Sequence, residues 1–117
     1  MDKGRKYKKC LRKTILGAVE PVYIDGKKYL AKIDTGADSS SMCTSLVKKL
    51  RLGKPVRKVK IRSSHGRTVR KVYKKEILLG GKKIKATFSI VPRTHMNYLI
   101  LIGKRTLRGK FIIDVSK

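Results

Sequence analysis

The segment AKIDTGADSS, Ala31 to Ser40, holds two carboxylates, Asp34 and Asp38, in a chain of 117 residues with only seven Asp or Glu against 32 Lys or Arg. An Asp-Thr-Gly placed directly after an apolar strand end has a mechanical rationale. Gly36 lets the backbone turn sharply, and Thr35 can lock the turn through its hydroxyl, leaving the Asp34 carboxylate pointing outward. One carboxylate alone is a poor catalyst of amide hydrolysis. Two brought face to face share a single proton, because like charges a few ångströms apart do not both ionise. One then acts as base on a water and the other as acid toward the carbonyl. A chain with one such turn must therefore pair with a second copy about a two-fold axis, which builds the acid pair from identical residues.

The elements that must position this turn read as strands. VEPVYIDGKKYLAKID, Val19 to Asp34, puts Asp25-Gly26 between two β-rich runs. That dipeptide suits a type I′ hairpin, whose two central residues both take positive φ. TSLVKKLRLGKP, from Thr44, spaces Leu46, Val47 and Leu50 at helical intervals, with Thr44 or Ser45 as cap, Gly53 as stop signal and Pro55 beyond. It predicts a short helix. VRKVKIR and TVRKVYKKEILL flank SSHG, and Gly80-Gly81 leads into KKIKATFSIV, where Ile84, Ala86, Phe88 and Ile90 alternate with polar residues. The middle of the chain thus reads as a string of antiparallel hairpins. YLILIGKRTLRGKFIIDVSK then offers an apolar run Tyr98 to Ile102, a break at Gly103, a helical turn through Leu107 and a last strand Lys110 to Val115. Many short strands joined by turns predict an all-β protein, a small closed or nearly closed β-barrel with one or two short helices.

KIDTGADSS followed much later by LILIGKRTL resembles the retropepsin-like aspartic proteases. In that group an Asp-Thr-Gly-Ala turn and a hydrophobic-hydrophobic-Gly segment ahead of a short helix form the active-site half. Within it the chain is most similar to the small cytosolic family named ATP-dependent zinc proteases, through KIDTGADSSSM, SHGRTVRKV and VPRTHMNYLILIGKRTLRGKFIIDVSK. The resemblance spans roughly residues 16 to 117 and rests on the combination of motifs. It implies a retropepsin-type barrel with Asp34 as catalytic carboxylate, Thr35, Gly36 and Ala37 as its supporting turn, and Ile102 and Gly103 packed beneath. Asp38 would be an anchor, ion-paired with Lys104 or Arg105. The tip SSHGRT, Ser63 to Thr68, falls where such proteases carry a flap, here Ser64, His65, Gly66 and Arg67. The implied activity is that of an aspartic-type endopeptidase, a homodimer acting on a peptide or protein substrate. No cofactor is expected, and the zinc and ATP of the family name find no motif. The chain lacks HExxH and a Walker-type phosphate loop, and Cys10, Cys43, His65 and His95 are scattered without zinc-ligand spacing.

Composition bounds the rest. The length and 40% hydrophobic content support one modest core. Residues 1–13, with seven Lys or Arg, read as a basic N-terminal arm, and residues 14–117 as the retropepsin-like domain. A formal charge of +25 implies an acidic neighbour, because self-repulsion of that size must be offset. An acidic or glutamate-rich peptide substrate fits that demand, and so does nucleic acid or the ribosome. The alternative function is accordingly a non-catalytic barrel that binds RNA or the ribosome through its basic surface. Lys and Arg also cover the polar faces of strands and keep their edges apart. An aromatic content of 6% without Trp offers no base-stacking platform. The apolar run Ile15 to Val19 ends at Glu20 and Pro21, too short for a signal-peptide core, and no stretch reaches a membrane span. The expectation is a soluble cytoplasmic protein.

Overall fold

The computed structural model of the protein describes residues 13–63, 66–92 and 97–117, so the expected basic arm, apart from Lys13, lies outside the described residues. In chain order the elements are β1 (Thr14–Leu16), β2 (Val19–Ile24), β3 (Lys27–Ile33), β4 (Ser40–Cys43), α1 (Thr44–Lys49), β5 (Arg57–Ser63), β6 (Gly66–Leu79), β7 (Lys82–Val91), β8 (Ile100–Ile102), α2 (Lys104–Leu107) and β9 (Phe111–Ile113). Period-two burial explains the strands. In β3, Tyr29, Ala31 and Ile33 are buried while Lys28, Leu30 and Lys32 are exposed, so one face meets the core and the other meets water. The β2–β3 hairpin turns at Asp25-Gly26 with φ of +51° and +79°, as the dipeptide requires.

Seven strands form one sheet in the order β2-β3-β8-β4-β7-β6-β5, and β1 pairs with β9 in a separate two-stranded ribbon. The class is all-β with two short helices, as expected. The barrel, however, is not closed. The long strand β6 gives the edge of its first half to β5 and only Leu78 and Leu79 to β2. The sheet curls until those two residue pairs meet, and β5 projects beyond as a flange.

The expected run of antiparallel hairpins holds for β2–β3, β5–β6 and β6–β7. Between chain-distant strands the sense is mixed: β3–β8, β4–β7 and β1–β9 are parallel, whereas β4–β8 and β2–β6 are antiparallel. Alternating burial looks the same in either direction, so the pattern carries no strand sense. The cap of α1 also differs from expectation. Cys43 occupies the N-cap without a side-chain capping bond, while the Thr44 hydroxyl donates to the Val91 carbonyl at 3.0 Å. Thr44 therefore ties the helix to β7.

Val22, Ile24, Met42, Phe88, Ile100 and Ile102 are fully buried and belong to one apolar cluster. Phe88 stands opposite both Ser40 of β4 and Tyr73 of β6, so it joins the strand that follows the Asp34 turn to the rest of the sheet. Phe88→Ala should lower the unfolding free energy by about 3–5 kcal/mol, through lost burial and the cavity left behind. A urea titration measures it.

Candidate active site

Asp34 stands where β3 ends. Its N–H donates to the Ile102 carbonyl at 2.9 Å, which carries the parallel β3–β8 pairing one residue past Ile33. Gly36 then donates its N–H to Asp34 Oδ1 at 2.9 Å, and Ala37 donates to the Asp34 carbonyl at 3.3 Å. The turn thereby holds one carboxylate oxygen and leaves Oδ2 without a partner among the described residues. Asp34 is half-buried, whereas Thr35 and Gly36 are exposed. Thr35 was expected to lock the turn through its hydroxyl. Among the described residues that hydroxyl makes no hydrogen bond, and the Gly36 N–H is the lock.

Behind the turn lies the segment that carries Ile102 and Gly103, both buried. A Cβ at Gly103 would run into the Ser39 and Ala37 carbonyl groups, so the close approach itself demands glycine. The first N–H groups of α2 have no partner within the helix. Here Lys104 donates to the Ala37 carbonyl at 2.8 Å and Arg105 to the Asp38 carbonyl at 3.0 Å. Loop and helix satisfy each other's backbone.

Of the two cations expected beside Asp38, Lys104 makes the ion pair, with Nζ 3.1 Å from Asp38 Oδ1. Arg105 bonds the Asp38 carbonyl through its backbone N–H and adds a weaker charge attraction without an ion-pair contact. The hydrogen bond from Lys104, followed by its charge, holds the Asp38 carboxyl below its ordinary value of 3.8. The Asp38 side chain is 75% exposed, so solvent screens the pair and its contribution is small.

Two residues that sequence reasoning missed complete the clamp. Ser40 Oγ and Thr106 Oγ1 are 2.6 Å apart and buried, and Ser40 Oγ also accepts the Gly103 N–H at 3.1 Å. A hydroxyl at the start of a mostly buried strand is the only sequence signal, since the partners lie 66 positions apart.

The proposed flap is the β5–β6 hairpin. Ser64 and His65 at its tip lie outside the described residues, Gly66 has φ of +114°, and exposed Arg67 stands opposite Arg62. Gly66 holds a backbone conformation that L side chains rarely adopt. Among the described residues no group of three or more His, Cys, Asp or Glu comes together as a metal site. Nor, among them, is any helix long and apolar enough to cross a membrane.

A family model described as RimB-like, retropepsin-like aspartic endopeptidase RimB, matches residues 45–117. That stretch includes Ile102 and Gly103 and begins after the Asp34 turn. The description is of an aspartic endopeptidase, and the zinc of the name met earlier has no support in it. No curated protein sequence matches. Among solved structures, a Legionella pneumophila protein of unknown function superposes with a TM-score of 0.61 at 20% identity, covering 89% of this chain and 95% of its own. The simian foamy virus protease gives 0.63 at 23% identity, covering 75% and 89%. The foamy viral protease-reverse transcriptase bound to an RNA/DNA hybrid gives 0.58 at 20% identity, covering 75% of this chain and 11% of its own. At these identities the likeness establishes a shared fold.

Ser40→Ala should cost about 1–3 kcal/mol, because it strips a buried N–H of its acceptor, and a denaturant titration reads this directly. A carboxyl with a lowered folded pKa adds stability above its ordinary value, lost as pH falls through the folded one. Wild type and Asp38→Asn should therefore differ slightly in melting temperature at neutral pH and converge once pH falls below the lowered value of the folded Asp38 carboxyl. A difference that persists in acid would assign the effect to something other than the charge.

Proposed function

The chain belongs to the RimB-like family of retropepsin-like aspartic endopeptidases, and we propose that it is a homodimeric aspartic peptidase in which two Asp34 carboxylates activate one water. The observation that carries this reading is the Asp34 turn: a carboxylate fixed through one oxygen by the Gly36 N–H, with the other unpartnered among the described residues, at the end of a strand with one buried face. Asp38, the other acid of the turn, is engaged by Lys104. It is the anchor, and the second catalytic acid comes from a second copy.

In the paired site one proton is shared between the two Asp34 side chains. The ionised carboxylate takes a proton from water as the water oxygen bonds to the peptide carbonyl carbon, while the protonated one gives its proton to the carbonyl oxygen. The tetrahedral diol then collapses. Its carbonyl re-forms, a proton passes to the amide nitrogen, and the C–N bond breaks. Thr35, Gly36 and Ala37 shape the turn, Ile102 and Gly103 support it, and the β5–β6 hairpin with Ser64 to Arg67 at its tip closes over an extended substrate.

The dimer reading is supported by the β1–β9 ribbon, which among the described residues is a two-stranded sheet with no further strand on either edge. Ile15 and Ile112 are register partners, each 48% exposed, and Val115 is 80% exposed. Strand addition from a second copy would pair these edges and cover the apolar side chains. The charge of +25 favours an acidic or glutamate-rich substrate. The same surface supports the alternative of a barrel docked on RNA or the ribosome, since β5 and β6 set Lys58 opposite Lys71 and Arg62 opposite Arg67.

A peptide library digested by wild type should yield defined products, and Asp34→Asn should reduce their rate by about 10²- to 10⁴-fold, the usual share of a general acid–base group. Light scattering should find a dimer in both proteins. Equal cleavage by the variant would end the peptidase reading, and a wild-type monomer that cleaves would end the paired site.

A further inference from the structure

Alternate residues of β5 and β6 face opposite sides of their hairpin, and the register sorts the charge between the two faces. Arg57, Val59 and Ile61 stand opposite Val72, Arg70 and Thr68. This is the inner face, because all of them but Thr68 border a cavity of about 430 Å³ together with Ser39, which closely follows the Asp34 turn, and Arg105 and Thr106 of α2. Five cations line that cavity: Arg57, Arg70, Lys85, Arg105 and Lys110. On the outer face Lys58, Lys60 and Arg62 stand opposite Lys71, Val69 and Arg67. That face turns toward α1, since Lys71 borders a second cavity, of about 480 Å³, with Val47 and Lys48.

The outer array thus holds five cations in three rows on two strands, all of them exposed. Neither β5 nor residues 66–72 contain an acidic side chain, and among the described residues none of the five cations makes an ion pair. Same-face neighbours are about 7 Å apart along a strand and about 5 Å apart across the pair. Cations so arranged repel one another, and a bound polyanion offsets that repulsion. An array about 13 Å long and one hairpin wide follows a single charged backbone. It is too narrow for the two backbones of a duplex, which are held apart by grooves about 6 and 12 Å wide. A phosphodiester carries one charge at every unit whatever its sequence, whereas a protein strand matches this repeat only where every second residue is acidic. With Val69 as its one apolar member the face has no aromatic ring on which bases stack, so it reads charge and not sequence.

We propose that the outer face of the β5–β6 hairpin is a docking surface for single-stranded RNA, held through its phosphates, and that it is separate from the cleft beside Asp34. RNA is the occupant because unpaired strands are a common form of RNA and a transient one of DNA. The surface goes beyond the peptidase reading and stands without it. RNA docking and peptide cleavage then belong to two faces of one hairpin and are not alternatives.

Fluorescence anisotropy with labelled dodecauridylate tests the surface. Five phosphate contacts predict a slope of about −3.5 for log affinity against log salt, a loss of roughly 100-fold between 50 and 200 mM. Lys58→Gln/Lys71→Gln should weaken binding by about tenfold or more at the lower salt and reduce the slope by about 1.4. Lys60→Gln should act in the same direction. Two double variants remove the same charge elsewhere: Arg57→Gln/Arg70→Gln on the inner face and Lys27→Gln/Lys28→Gln at the β2–β3 turn. Each should change affinity less than twofold.

An equal loss in the β2–β3 variant would reduce the effect to overall charge and overturn the surface. An equal loss in the inner-face variant would move the RNA to the cavity and overturn the separation of faces. Dodecaglutamate that binds as tightly as dodecauridylate, and loses as much in Lys58→Gln/Lys71→Gln, would reassign the face to an acidic protein. Duplex RNA that binds more tightly than the single strand would overturn the single-backbone fit. A wild type that binds dodecauridylate through these residues and cleaves no peptide would sustain the surface and end the peptidase reading.

Discussion

The close approach between the Asp34–Ser40 turn and the Ile102–Thr106 segment is the contact on which the site's geometry depends. Asp34 donates into β8, the Ala37 and Asp38 carbonyls receive the first N–H groups of α2, and Ser40 Oγ receives the N–H of Gly103. These bonds satisfy polar groups that the approach buries, which lets the Asp34 turn sit against the core. Glycine at 103 makes the distance attainable. The same approach draws β8 between β3 and β4, parallel to one and antiparallel to the other. The strand leading into the turn and the strand leaving it are thus both braced by a segment from the far end of the chain.

Charge is distributed against this frame in a consistent way. Among the described residues the ion pairs are Asp25 with Lys75, Asp38 with Lys104 and Glu20 with Lys117, so scarce carboxylates pin a turn, a helix start and a chain end. Most of the described cations make no ion pair. On the β5–β6 hairpin, like charges stand directly opposite one another, which weakens a hairpin that already projects from the curled sheet.

Local signals were legible wherever the physics was local. The Asp25-Gly26 turn, the alternation of β7, the short helix from Thr44 and the Gly103 break all appear in the structure near their expected positions. Element ends were less so. The last strand covers Phe111–Ile113 within the expected Lys110 to Val115, because the chain turns back at Asp114, whose carboxylate accepts bonds from Ser116. Thr35 illustrates a different miss: its residue type suggested a lock that the backbone of Gly36 supplies.

By itself the sequence determined the turn chemistry, the two-residue period of the strands and the concentration of positive charge, since each is written within a few consecutive residues. Tertiary structure alone decided the sense of the paired strands, the incomplete closure of the barrel and the choice of Lys104 over Arg105 as partner of Asp38. It also brought Ser40 to Thr106 and gathered five cations from separate elements around one cavity. Those outcomes depend on contacts between residues tens of positions apart, whose free energy exists only once the core around Phe88 and Ile102 has closed.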